Sequence, residues 1–198
     1  MTPKAGLRRR AWTDGHGLQK VLAAKQEVRQ APKPIAHPPK DVPLVKETCD
    51  SFTFESFTEE DAWELGHLLY ARLLEFTPQQ STVISIALAS SGQILFQTAC
   101  GPDTTKENEN WIERKRNTIL RFAGSSWYWH CVWDGDEDRF RKVFSMSIEE
   151  SSKYAIHGGG VPIRVRGVAG IVAVVCVSGL QQEEDHGVIV EVINDNWH

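Results

Sequence analysis

The pattern of apolar and polar residues predicts helices and strands in alternation over most of the chain after residue 50. Thr58-Glu59-Glu60-Asp61 matches a capping box, and apolar residues then recur at helical spacing. Segments 82–88 and 93–99 predict a hairpin of two strands joined by a polar turn. A second helix is expected over 108–122, where it would bury Trp111, Ile112, Ile119, Leu120 and Phe122.

The second half of the chain continues this alternation. The aromatic segment 127–133 is predicted to be a strand whose tryptophans share one face. Residues 149–156 predict a helix that ends at the glycines following it. Strands are expected over 163–166 and 171–177, the latter buried on both faces, with a final helix from Glu183. Hairpins dominate over strand–helix–strand units, which is typical of an α+β fold with an antiparallel sheet covered by helices.

The chain is predicted to divide into an N-terminal extension, residues 1–45, and a domain, residues 46–198. Five of the nine prolines fall between residues 32 and 43, a composition typical of an extended linker. Residues 18–29 predict a short amphipathic helix ahead of that linker. We interpret the extension as a disordered tail, and a mitochondrial presequence and a gene-model extension stay open as alternatives.

Charge separates the same two parts. Residues 1–48 carry a net charge of +6, whereas residues 49–198 carry −10, and an acidic domain disfavours nucleic acid as its partner. No apolar run reaches the ~18 residues needed to span a bilayer. The four cysteines are scattered without a Cys-x-x-Cys pair, which is typical of reduced thiols. We therefore expect a cytoplasmic protein without a membrane partner.

Two polar strings bracket segment 171–177 and form the candidate ligand site. In His157-Gly158-Gly159-Gly160, the glycines permit positive φ and the close approach of a ligand, and successive amides can bind an anion. Ser178-Gly179 leads into Glu183-Glu184-Asp185-His186. An alternative interpretation is that the glycines end one helix and the acids begin the next, as is common in proteins. Three acids followed by a histidine exceed what capping needs, so Asp185 and His186 are candidates to bind a polar ligand, donate protons or bind a metal.

Several other kinds of site lack their signatures. His-Gly-Gly-Gly occurs in the oxyanion loop of lipases, but the chain has no Gly-x-Ser-x-Gly elbow. It also has no P-loop, dinucleotide fingerprint or His-Glu-x-x-His motif. The histidines and cysteines lack zinc spacing, so no metal site is predicted. Arg114, Lys115 and Arg121 form a basic helix face that is either solvated or available to an anionic ligand or a neighbouring subunit's acids.

Four motifs, in order, resemble those of one family. They are Trp111-Ile112-x-Arg114-Lys115, Arg121-Phe122-x-x-Ser125-Ser126, Tyr154-Ala155-x-His157-Gly158-Gly159 and Val177-Ser178-Gly179-Leu180-x-x-Glu183-Glu184-Asp185-His186. Over roughly residues 50–195 the chain resembles uncharacterised protein family 0303 of bacteria and fungi, within the haem-degrading group that includes GlcG, HbpS and the C-terminal domain of PduO.

This resemblance implies a shape more than a reaction. It implies a profilin-like sandwich, with a five-stranded antiparallel sheet flanked by helices, and self-association into a homo-oligomer. Some relatives bind haem, but no haem ligand maps onto this sequence. The cofactor is therefore unknown, with haem as a candidate.

Three functions are open from the sequence, and none assigns a catalytic residue. The first is an oligomer that binds a small anionic or cofactor-like ligand through His157, Gly158, Gly159, Ser178, Gly179, Asp185, His186 and Arg114. The second is a non-enzymatic oligomeric adaptor, with a link to chaperones, that binds partner proteins through its tails. The third is an enzyme acting on haem or another redox cofactor.

Overall fold

A five-stranded sheet forms the centre of the computed structural model, which describes residues 6–10, 13–26 and 31–198. The strand order is β1-β4-β5-β2-β3, with β1 (Phe52–Phe54), β2 (Thr82–Leu88), β3 (Ile94–Cys100), β4 (Gly160–Val165) and β5 (Ala173–Ser178). Neighbouring strands are antiparallel except β1, which pairs with β4 in parallel. The predicted α+β sandwich is confirmed, whereas a purely antiparallel sheet is wrong, because β1 reaches β4 through a long crossover of the kind parallel pairs need.

The helices cover both faces of this sheet. They are α1 (His16–Gln26), α2 (Val42–Thr48), α3 (Glu59–Leu73), α4 (Lys106–Phe122), α5 (Ser126–Trp133), α6 (Glu137–Val143), α7 (Ile148–Ser151) and α8 (Gln182–Asn196). Helices α3 and α8 pack on one face and α4 on the other. Side chains of β5 alternate accordingly: Val175 and Val177 join the core under α3 and α8, and Val174 and Cys176 meet α4. Strand β5 is thus buried on both faces, as predicted.

The aromatic segment 127–133 is helix α5, so the predicted strand is wrong. The Ser125 hydroxyl accepts a hydrogen bond from the Tyr128 amide at 2.9 Å, and this N-cap prevails over the strand preference of aromatic residues. Trp127 consequently does not share a face with the other two tryptophans. Trp127 packs with Val45 and Cys49, whereas Trp129 and Trp133 join a separate aromatic cluster.

Two other predictions near the glycines need correction. The helix expected over 149–156 is limited to α7, which ends at Ser151, and the chain then runs irregularly to β4. Gly160 is already the first residue of β4. The glycines therefore do not end a helix. Elements α2, α6 and β1 were not predicted, because each has only three to seven residues and too few buried positions to show a period.

The described parts of the N-terminal extension lie against the domain. Leu7 donates its amide to the Thr53 carbonyl at 2.8 Å and accepts from the Glu55 amide at 3.0 Å, which extends the sheet beyond β1. Helix α1 packs on α3 and confirms the predicted helix up to residue 26, while residues 27–30 lie outside the described ranges. The division near residue 45 stays a prediction.

No helix within the described ranges combines the length and the apolar character that crossing a bilayer requires.

Glu64 of α3 is the main polar anchor of α1. Its carboxylate is buried and accepts the amides of Gly15 and Gly17, both at 2.6 Å. We expect Glu64→Gln to lower the free energy of unfolding by about 1–3 kcal/mol, because an amide replaces a charged acceptor of two hydrogen bonds. Residues 15–26 should also exchange their amide hydrogens faster, as measured by mass spectrometry. Glu113→Gln, on an exposed part of α4, is the control. Unprotected amides at 15–26 in the wild type would contradict this docking.

Candidate ligand-binding site

A buried ion pair joins Lys115 of α4 to Asp185 of α8 beside the end of β5. The Lys115 Nζ lies 3.0 Å from the Asp185 Oδ2 and donates to the Val177 carbonyl at 2.8 Å. The two side chains are only 2% and 3% exposed. The amides of Gly179 and Leu180 donate to the same carboxylate at 3.4 and 3.0 Å. These bonds supply the partners that two charges need when they are removed from water.

Gly159 makes room for this ion pair. Its φ is +104°, and an added Cβ would lie 2.7 Å from the Lys115 Nζ and would also collide with the Val177 carbonyl. Gly158 is similarly close, since a Cβ there would collide with the Gln182 carbonyl. The close approach that the sequence predicted at these glycines is therefore made by protein atoms, and neither residue lines the adjacent cavity.

A cavity of about 350 Å³ lies beside the ion pair. It is lined by Thr105, Glu107, Asn108, Trp111, Lys115, His157, Ser178, Gly179, Leu180, Gln182 and Asp185. Four of the predicted site residues, His157, Ser178, Gly179 and Asp185, thus meet at one cavity. Arg114 and His186 do not line it.

The N-terminal ends of two helices face this cavity. Helix α4 begins after the N-cap Thr105 and α8 after the N-cap Gln181, and each end is closed by a capping box. The first amides of a helix have no acceptor within the helix, and the helix dipole makes this end positive. Glu107 contributes the opposing charge, but it is exposed and accepts a bond from the Asn110 side chain at 3.2 Å. The two helix ends therefore favour a negative charge in the cavity, as does Lys115, whereas Glu107 and Asp185 oppose it.

His157 forms another part of the cavity wall. Its ring meets the Trp111 ring edge-on at 4.9 Å between centroids, and its Nδ1 lies 3.4 Å from Oε1 of Glu137. The contact with His157 and the Arg114 guanidinium nearby hold the pKa of Glu137 below its usual range. Arg114 itself stacks on Trp111 and bonds the Tyr154 carbonyl, so it supports the wall from behind.

His186 is buried away from the cavity. Its Nε2 lies 2.9 Å from the Cys49 carbonyl oxygen, and its ring is tilted against Trp127. Burial lowers the pKa of His186 to about 4, so the side chain is neutral at physiological pH. The expectation that His157 and His186 converge on one ligand is not met at this cavity.

No group of three or more histidine, cysteine, aspartate or glutamate side chains is placed to bind a metal ion in the ranges that the structure describes.

The sequence also missed several members of the site. Lys115 was considered only as part of a basic face, although it falls in helical register with the buried Ile112 and Ile119. A lysine at a buried position of an amphipathic helix is the signal that could have marked it. Glu137 and Asn108 carry no such signal, because their roles depend on which loops meet in space.

The fold and this cavity define an α+β sandwich with a cavity at the N-terminal ends of two helices. The family model described as haem degrading protein HbpS-like matches residues 57–194, and the chain belongs to this family.

Known relatives agree with that assignment. A UPF0303 protein of Streptomyces avermitilis is 38% identical over 160 residues, which cover 78% of this chain and 90% of the relative. The UPF0303 protein Ybr137w of Saccharomyces cerevisiae is 37% identical over 131 residues, which cover 66% of this chain and 70% of the relative. The crystal structure of Ybr137w is similar with a TM-score of 0.67 and 33% identity, covering 78% of this chain and 85% of that one. The family resemblance predicted from the motifs is confirmed.

The cavity does not fit haem, although its lining includes one residue, His157, of a type that serves as an axial ligand of haem iron. A volume of about 350 Å³ lies at the lower end of the range for small-molecule sites and is too small for a tetrapyrrole. No step involving haem is therefore derived for this cavity.

The fit of Gly159 against the ion pair can be tested by Gly159→Ala. We expect the free energy of unfolding to fall by about 2–4 kcal/mol, because the new Cβ adds a clash to an unfavourable positive φ. Gly167→Ala is the matched control, since Gly167 also has a positive φ of +77° but open space around it. Denaturant unfolding measures both. Equal losses in the two variants would show that close approach at Gly159 is unimportant.

Burial of neutral His186 predicts a pH dependence of stability. The unfolded histidine has a pKa of about 6.5, whereas the folded one titrates at about 4, so the unfolded chain takes up the proton first as the pH falls. The contribution of His186 to the free energy of unfolding is fully present above pH ~6.5. It decreases by up to about 3 kcal/mol as the pH falls from ~6.5 to ~4.

His186→Gln should flatten that part of the curve of unfolding free energy against pH. His37→Gln is the control, because His37 is exposed and should leave the curve unchanged. An unaltered slope in His186→Gln would contradict burial of the neutral ring.

Proposed function

We propose that this protein is a ligand-binding member of its family and that the cavity between the N-termini of α4 and α8 binds a small anion. The observation that carries the proposal is the meeting of two positive helix ends with the buried Lys115 ammonium at one cavity wall. Helix N-termini are general anion sites because their amides and dipoles both favour negative charge.

Lys115 supports the proposal although Asp185 neutralises it. An ammonium has three donors, and two of them are directed to Val177 and Asp185. Asp185 in turn is bonded by the Gly179 and Leu180 amides, which saturates much of its acceptor capacity. Asp185 therefore has little acceptor capacity left for a ligand, and one ammonium donor of Lys115 is left over.

Self-association is part of the same proposal, as the family resemblance implies. Val143 of α6 and Ile148 of α7 are large apolar side chains that are 56% and 78% exposed. Their burial against a second copy of the chain would favour self-association.

Asn108→Asp tests the anion site without removing a cap. The Asn108 Oδ1 accepts the Thr105 amide at 2.9 Å, a bond that aspartate preserves, but the substitution adds a negative charge to the cavity wall. We expect the affinity for phosphate or pyruvate, measured by isothermal titration calorimetry, to fall about tenfold or more, equivalent to about 1.4 kcal/mol.

Gln93→Glu is the control, because it makes the same exchange of an amide for an acid at an exposed residue that does not line the cavity. Glu107→Gln should have the opposite effect and strengthen binding, since it removes the acid at the cavity mouth. Equal affinities in Asn108→Asp and Gln93→Glu, or no anion binding by the wild type, would contradict the proposal.

A further inference from the structure

We propose that this cavity is also a catalytic site, in which His157 acts as a general base that enolises a 2-oxo acid and Glu137 positions it. The inference rests on the proposed anion site and adds to it a reaction and a substrate class. It is carried by the placement of His157 on the wall of the cavity that holds Lys115 and the two helix ends.

Of the two ring nitrogens of His157, Nδ1 is withdrawn from solvent, which leaves Nε2 for the accessible edge of the ring. The side chain as a whole is 37% exposed, but its Nδ1 is buried and has no hydrogen bond of good geometry. Solvent and ligands in the cavity therefore meet the Nε2 edge. A base needs a lone pair on this edge, which requires that Nδ1 carry the proton in the neutral ring.

Glu137 provides the acceptor that selects this tautomer. Its Oε1 lies 3.4 Å from the His157 Nδ1 and 3.6 Å from the Arg114 Nη2. The first contact lacks the geometry of a formed hydrogen bond. Catalytic hydrogen bonds are often long in ligand-free structures and shorten when the substrate binds.

The backbone on both sides of His157 is fixed. The Ala155 amide donates to the Thr118 hydroxyl at 2.9 Å, and the Gly158 amide donates to the Gln182 side chain at 3.3 Å. Trp111 packs against the imidazole and lies one helical turn before Lys115, so the two share a face of α4. The imidazole and the ammonium thus belong to neighbouring parts of one wall.

A 2-oxo acid matches this arrangement of charges. Its carboxylate suits a helix N-terminus, and its carbonyl oxygen becomes negatively charged on enolisation, when the Lys115 ammonium and the second helix end stabilise it. Donors that meet a charge formed only during the reaction lower its barrier. The cavity volume of about 350 Å³ is sufficient for a small acid of this class.

The step balances without a further reactant. The Nε2 of His157 takes a proton from C3, the C–H electron pair forms the C2–C3 double bond, and the carbonyl π pair moves to the oxygen to give the enolate. In the reverse step the imidazolium returns a proton to C3. In D₂O the imidazolium exchanges with solvent, so deuterium replaces hydrogen at C3 and nothing is oxidised or reduced.

Proton NMR in D₂O measures this exchange directly, with pyruvate and 2-oxobutyrate as probes and the full chain as the catalyst. The wild type should exchange the C3 hydrogens faster than buffer alone. His157→Gln should reduce the protein-dependent rate by about 10²-fold or more. Glu137→Gln should lower kcat with little change in KM, because Glu137 acts through His157, and Glu137→Asp should restore part of the rate.

Asp138→Asn and His37→Gln are the controls. Asp138 is next to Glu137 but pairs with Arg141 and Lys142, and His37 is exposed, so both variants should exchange at the wild-type rate. Circular dichroism verifies that each variant is folded.

Shifts of the protein's amide resonances on adding pyruvate report binding separately. Binding of pyruvate without exchange above the buffer rate would overturn the catalytic proposal and leave the anion site intact. If neither binding nor exchange is observed, the anion site and the catalytic proposal are both overturned. Exchange that persists in His157→Gln would also overturn the assignment of the base.

Discussion

The ion pair between Lys115 and Asp185 is the interaction on which the rest of the site depends. It bonds α4, the end of β5 and the start of α8 to one another, and both charges are withdrawn from solvent. A buried pair of this kind adds little net stability, but loss of either member leaves an unpaired charge that costs about 3–5 kcal/mol. The pair therefore acts mainly by fixing the positions of α4, β5 and α8 relative to one another.

The cavity is a consequence of that geometry. Because the pair lies between two and three turns into α4 and about one turn into α8, both positive helix ends are brought near the end of β5. Gly159 is the residue that permits it, since a side chain at this position would displace the ammonium. Packing, backbone conformation and the electrostatics of the proposed anion site are thus parts of a single arrangement.

The sequence predicts the outline of this arrangement better than its details. Strand β5 and helices α3, α4 and α8 follow from hydrophobic periodicity, and the motifs around His157 and Asp185 do lie on one cavity or immediately behind it. Periodicity failed for α5, where a serine cap outweighs the strand preference of tryptophan and tyrosine. Periodicity also does not indicate which histidine faces the cavity. His157 is partly exposed and His186 is buried, and this difference depends on the tertiary fold. The sequence does carry a signal at Lys115, because a lysine at an apolar position of an amphipathic helix requires a buried partner.

Anomalous diffraction from crystals soaked in selenate shows whether the helix ends beside Lys115 bind an anion. We expect a selenium peak inside the cavity, within hydrogen-bond distance of the first amides of α4 or α8, that is lost in crystals of Asn108→Asp. Selenium peaks confined to surface lysines and arginines, with none in the cavity, would contradict it.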